Sequence, residues 1–244
     1  MWLDPLRAAL DEASGPVDFF LRDDDAGWDD ERLFAMLGVL DRHALAIDLA
    51  VIPQALTPPL ADSLIGRGER SGGRLGLHQH GLAHRSHEPD GRKCEFGPSR
   101  DRDAQRRDLT EGQQLLEDLL PGLIQPVFTP PWNRCTRVTA ELLAELGFRV
   151  LSRHVSEPPL AVPDLTEVPV SVDWSYAKRD GRRLTFDELG DLAAERVRLG
   201  GAVGVNLHHA VMDDDEIGLL DELCRLLATH DAARCLPLLA LAGQ

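Results

Sequence analysis

The sequence predicts an α/β fold in which parallel strands form a barrel wrapped by helices, in one domain spanning residues 1–244. Three observations carry this expectation. Short apolar runs alternate with longer stretches of helical period, as βα units require. A chain of 244 residues has the size of a single α/β barrel and buries a full core. Three polar clusters stand just past the C-terminal ends of the expected strands, where parallel barrels place their active sites.

Seven runs of four to eight residues, rich in Val, Ile, Leu or Phe, read as strands: 17–22, 45–52, 74–78, 124–129, 148–152, 166–172 and 202–208. Between them, apolar residues at i, i+3 and i+4 spacing predict helices over 29–42, 55–70, 101–120, 136–146, 185–199 and 214–229. Thr185 with Glu188 forms a capping box that opens the fifth helix, and Gly147 stands where a helix stops. Residues 85–100 and 157–164 read as loops. The first follows directly on a histidine cluster and is long enough to face a substrate.

Composition narrows the function classes. Hydrophobic residues make up 43% and charged residues 27%, the profile of an ordinary globular chain. A formal charge of -15 repels phosphate backbones and anionic lipid, which excludes nucleic acid and membrane surfaces as expected partners and favours a neutral or amine-bearing small molecule. Arg100, Arg102, Arg106 and Arg107 read as a solvated helix face rather than an anion site. No apolar run approaches the roughly 18 residues of a membrane span, and the acidic start MWLDPLRAALDEASG lacks the form of a secretory peptide, so a cytoplasmic location is expected. Cys94, Cys135, Cys224 and Cys235 are widely spread and read as reduced thiols.

The chemistry lies in the three clusters. In FFLRDDDAGW (19–28) a strand runs into Asp23, Asp24 and Asp25, whose charges repel unless a cation neutralises them; a metal would do so, Arg22 shares that role, and a solvated cap is the plainer alternative. In LGLHQHGLAHRSH (75–87), His80 and His84 are four apart, so a turn of helix after the strand would bring both to one side. His78 and His87 lie alongside, and four histidines here out of nine in the chain are hard to assign to packing. In VNLHHAVMDDDE (205–216), His208 or His209 is placed to act as a general acid, and Asp213–Asp215 cap the next helix. One carboxylate and two imidazoles leave positions open for water and substrate, as metal-assisted hydrolysis requires.

The order of these motifs resembles the polysaccharide deacetylase, or NodB-homology, family of carbohydrate esterases (carbohydrate esterase 4-like) over residues 17–210. The resemblance implies a distorted (β/α)7 barrel, Asp24 as the base, and Asp25, His80 and His84 as ligands of one divalent cation. Zn²⁺ is the expected ion, with Co²⁺, Ni²⁺, Mn²⁺ or Fe²⁺ accepted by the same donors. Leu207 and His208 match the family's Leu-His near the last strand, with His208 as the acid and His209 its neighbour; FTPPWN (128–133) matches the proline-rich groove wall, with Pro131 and Trp132 beside an oxyanion-binding N–H. Asp173 and Trp174 match an acidic and tryptophan element at the substrate. Phe128 and Thr129 stand where the family carries an arginine that orients the base, a role left to Arg22 or Arg153, and Ala26 replaces the glycine after the Asp pair. The implied activity is removal of acetyl from an N-acetylated sugar or related amide.

Two rival readings make different demands. In an amidohydrolase or PHP-type hydrolase, His78 of the HQH triplet would sit on the metal in place of His84. An inactive glycan-binding barrel would keep Trp132, Trp174 and Tyr176 as platforms without needing a base or an acid.

Overall fold

The computed structural model describes residues 1–175 and 182–243; Tyr176 lies outside them. The chain runs α1 (Asp4–Asp11), β1 (Val17–Ala26), α2 (Asp30–Arg42), β2 (Ile47–Val51), α3 (Pro58–Ser71), β3 (Leu75–His80), α4 (Arg102–Leu119), β4 (Ile124–Thr129), α5 (Arg137–Glu145), β5 (Val150–Leu151), β6 (Thr166–Glu167), β7 (Val172–Asp173), α6 (Phe186–Leu199), β8 (Val203–Leu207), α7 (Asp214–Thr229), β9 (Ala233–Cys235) and α8 (Leu238–Leu241). All strand pairs are parallel. The six expected helices are present, each within a few residues of its sequence-derived bounds. Thr185 and Asp213 both open capping boxes, with Glu188 and Glu216.

The strand order β6-β5-β4-β3-β2-β1-β8-β7 places at the two ends of the sheet the two halves of one extended segment, 166–173. Its first half bonds to β5 and its second half to β8, through Val168 N to Leu151 O at 3.0 Å and Ser171 N to Gly204 O at 2.8 Å. The sixth expected strand, 166–172, is therefore present but divided, because Pro169 has no N–H to give to a ladder. The sheet curls on itself as a distorted (β/α)7 barrel.

Strand alternation sorts side chains into an inner and an outer set. On β1, Phe19 and Leu21 join the core under the helices, whereas Phe20 joins a smaller core inside the barrel with Val127, Val150, Val170 and Leu238. Leu49 of β2, Leu77 of β3 and Val205 of β8 likewise face outward into the main core. Further along the inner face come Arg22 and Asp24 of β1, His78 and His80 of β3 and Asn206 of β8, so the barrel becomes a charged well toward its C-terminal rim.

α1, β9 and α8 are elements that periodicity did not predict. The first is short, and the other two form only against the finished barrel: β9 pairs with the start of β1, and α8 covers the bottom, with Leu238 N donating to Asp48 Oδ2 at 2.8 Å. Three of the four arginines read as a helix face form ion pairs, Arg100 with Asp108, and Arg102 and Arg106 of α4 with Glu145. All four cysteines are free. Among the described residues no helix is long and apolar enough to cross a membrane.

Asp48 gives a first testable consequence. It is fully buried, its Oδ1 has no partner, and burial pushes its carboxyl up to about 7. A carboxyl raised in the fold stabilises it below the unfolded value and loses that contribution as pH rises through about 7. Asp48→Asn keeps the acceptor for Leu238 and removes the charge, so at about pH 8 it should melt several degrees higher than the wild type, with the gain shrinking toward about pH 4. A pH-independent difference in thermal melts would assign the effect to packing instead.

Candidate metal centre

Adjacent residues of a strand point to opposite faces, yet Asp24 and Asp25 both reach the well. The β1–β2 register slips between Asp23 and Ala26, and Asp25 takes φ 71°. This irregularity turns Asp25 back toward the barrel axis. Asp23 keeps the outer face. Its Oδ1 accepts from His209 N at 2.9 Å and its Oδ2 from His209 Nδ1 at 2.7 Å, while His209 Nε2 donates to Trp28 O at 2.6 Å. His209 thus has both ring nitrogens engaged away from the well.

Asp25, His80 and His84 converge, with one ligand atom from each lying within 4.8 Å of the others. Asp25 Oδ1 is 3.2 Å from His80 Nε2 and 3.1 Å from His84 Nε2. Two donors each about 2.1 Å from one ion, at an angle of about 90–109°, stand roughly 3.0–3.4 Å apart, so these separations fit a shared cation. His80 Nδ1 donates to Thr129 O at 2.9 Å, which fixes the tautomer and leaves the Nε2 lone pair for a ligand bond. Burial opposes charge on Asp25, but the two imidazoles outweigh it and hold the carboxyl well below its usual range. Burial likewise opposes charge on His80, and hydrogen bonding to Asp25 outweighs it, raising that imidazole.

The His80–His84 pair does not ride on a helix, as its spacing suggested. His80 ends β3 and His84 sits on a following turn at φ 52°. The turn starts at Gly81, φ 60°, where a Cβ would lie 2.6 Å from Pro131 Cγ and 2.1 Å from Glu95 Oε2. Buried Glu95 accepts from Ala83 N at 2.9 Å and Leu82 N at 3.3 Å. The 85–100 loop is therefore not simply substrate-facing: residues 94–97 are buried beneath the turn, and Phe96 bridges to Cys135.

Beside the triad, Asp24 is gripped by Arg22. The two share the inner face of β1, and Arg22 Nε and Nη2 donate to Asp24 Oδ1 and Oδ2 at 2.8 and 3.0 Å. Asn206 Nδ2 adds 3.2 Å to Oδ2, and the remaining Arg22 donors go to Ser152 Oγ at 2.8 Å and Asn133 Oδ1 at 2.7 Å. Burial opposes the Asp24 charge, but the guanidinium outweighs it and keeps the carboxyl below its ordinary value. Of the two candidate arginines, Arg22 is the one that contacts Asp24, whereas Arg153 pairs with Glu167 at 2.5 Å. His208, at the end of β8, places Nε2 3.8 Å from Asp24 Oδ2 and Nδ1 3.7 Å from Asp173 Oδ1.

Other expected residues are placed as follows. His78 faces the well below the triad and is not one of the converging three; its Nε2 meets Thr129 Oγ1 at 2.9 Å, and burial pushes it down to about 3. Pro131 and Trp132 form a tight turn, and the Trp132 ring lies 4.4 Å from that of His84. Trp174 is corrected: it is buried against Trp2 and Phe186 on the outer face, at 5.8 and 5.4 Å between centroids, rather than lining the substrate side. Asn133, Asn206, Ser152, Thr129 and Glu95 were not foreseen. Asn206 alone carried a signal, two residues before His208 on one strand face.

No protein-family model matches the chain, and no curated protein matches its sequence significantly. Solved structures do. A Mycobacterium smegmatis protein assigned as a polysaccharide deacetylase superposes with a TM-score of 0.71 at 18% identity, covering 94% of this chain and 90% of its own. A Streptococcus mutans CE4 esterase gives 0.65 at 15% identity, over 96% and 89% of the two chains. A family 4 acetyl xylan esterase from Clostridium thermocellum, in complex with a cobalt ion, gives 0.62 at 15% identity, over 92% and 89%. At these identities the likeness establishes the shared barrel.

Proposed function

We propose that the chain is a divergent member of the polysaccharide deacetylase family, a metal-dependent hydrolase that removes acetyl from an N-acetylated sugar or related amide. The observation that carries the reading is the juxtaposition of a bidentate, arginine-held Asp24 with the converging Asp25, His80 and His84. The similar structures, two of them esterases by name, support it.

Asp25, His80 and His84 would hold one divalent cation, Zn²⁺ by preference, and when bound it would supply the Lewis acidity that lowers the pKa of water and polarises the amide carbonyl. Asp24 takes the proton from that water. Arg22 keeps Asp24 ionised, and so able to accept that proton, but only weakly basic. Pro131 has no N–H, so the Trp132 amide is the backbone donor to the tetrahedral oxyanion. His208 protonates the leaving nitrogen, with the Asp173 carboxylate 3.7 Å from its Nδ1 on the far side. Placement of His84 rather than His78 among the converging donors supports this over the amidohydrolase reading, and the Arg22 fork on Asp24 supplies the arginine whose absence at 128–129 favoured an inactive barrel.

The test is acetate release from N-acetylglucosamine oligomers, small N-acetylated amines and acetyl esters, before and after chelation and Zn²⁺ or Co²⁺ restoration. Chelator-sensitive release that returns with metal is the expected result. No release from any acetylated amine or ester by the metal-loaded chain would sink the assignment.

A further inference from the structure

We infer that Trp28 and His209 are positioning residues for the third ligand, His84, an assignment that rests on the metal-hydrolase reading and extends it. His84 belongs to no helix or strand and has a left-handed backbone, so little local structure fixes its ring. The ring is instead flanked by two indoles, Trp28 at 4.7 Å and Trp132 at 4.4 Å between centroids. Trp28 is 40% exposed, so core packing does not account for its placement.

Its loop is tied at two points. Trp28 N donates to Asp25 O at 3.0 Å, and Trp28 O accepts from His209 Nε2 at 2.6 Å. His209 is itself held by Asp23 through both its backbone N–H and Nδ1. Asp23 Oδ2 and Trp28 O face the two ring nitrogens and fix the imidazole at both ends. The anchor thus runs from β8 through His209 to the Trp28 carbonyl, and from the Trp28 indole to His84. The adjacent histidines divide the work: His208 faces the substrate side, while His209 holds the wall behind a ligand. Outer partners of this kind typically alter metal affinity about 10–100-fold.

The experiment titrates Co²⁺ into the chelator-stripped full chain, reading affinity and the visible d–d absorption, with circular dichroism to verify folding. Trp28→Ala should weaken Co²⁺ at least about tenfold and change the absorption band, Trp28→Phe should restore most of both, and His209→Gln should resemble Trp28→Ala. Should His209→Gln fail to fold, the Trp28 pair decides alone, since an exposed side chain is removed there. Wild-type affinity and spectrum in Trp28→Ala would overturn the inference while leaving the metal centre intact. A wild-type chain that binds no Co²⁺ would remove the metal reading itself, and the positioning role with it.

Discussion

Asp24→Asn is expected to lower kcat by about 10²–10⁴-fold, the usual worth of a positioned general base, while Co²⁺ still binds. The substitution removes the carboxylate that interacts electrostatically with His80 and Asp25 without replacing Asp25, His80 or His84. It also leaves the Arg22 guanidinium facing a neutral amide, so some stability is lost, and turnover should be measured well below the variant's melting temperature. Asp25→Asn separates the two carboxylates: it removes the ligand, and metal affinity falls together with turnover. Undiminished turnover in Asp24→Asn, measured at saturating metal, would show that the proton goes elsewhere and would strip Asp24 of its assigned role.

The difference between two adjacent aspartates shows what was legible in the sequence. The parallel strands, the helices and the order of the three clusters follow from period and spacing, because alternating buried strands and amphipathic helices leave a strong pattern, whereas the distorted (β/α)7 closure is implied by the family resemblance. Strand parity, carried further along each run, would also have paired Arg22 with Asp24 and sent Trp174 outward, since Asp173 and Trp174 cannot both face the well. The slip that turns Asp25 inward breaks that parity, and it depends on how β1 meets β2 rather than on β1 itself. The turn carrying His84 is similar: its support comes from Glu95 and Trp132, and from Trp28 on an earlier loop, with no periodic signal linking them. Among the described residues, four of the eight non-glycine positions with left-handed backbone, Asp25, His84, Trp132 and Asn133, lie at the site. Such strain persists because surrounding contacts over-determine it.

Arg22→Met tests the same well by stability. Arg22 has no solvent exposure and donates to Asp24, Asn206, Ser152 and Asn133, so its removal strands a nearly buried carboxylate and three polar side chains. Breaking one partner out of a buried pair costs about 3–5 kcal/mol, enough to unfold many domains of this size. Arg22→Lys keeps the charge but not the fork, and should lose less. The pH dependence identifies the cause. In the wild type the Asp24 carboxyl is held low, so its contribution is present above the ordinary carboxylate value and lost as pH falls. In Arg22→Met the carboxyl has no counterion, and protonating it relieves the penalty. The deficit in urea unfolding should therefore be largest near about pH 7 and shrink toward about pH 4. A deficit that stays constant or grows on acidification would mean that Arg22 acts through its hydrogen bonds to Ser152 and Asn133, and that Asp24 does not depend on it for its charge.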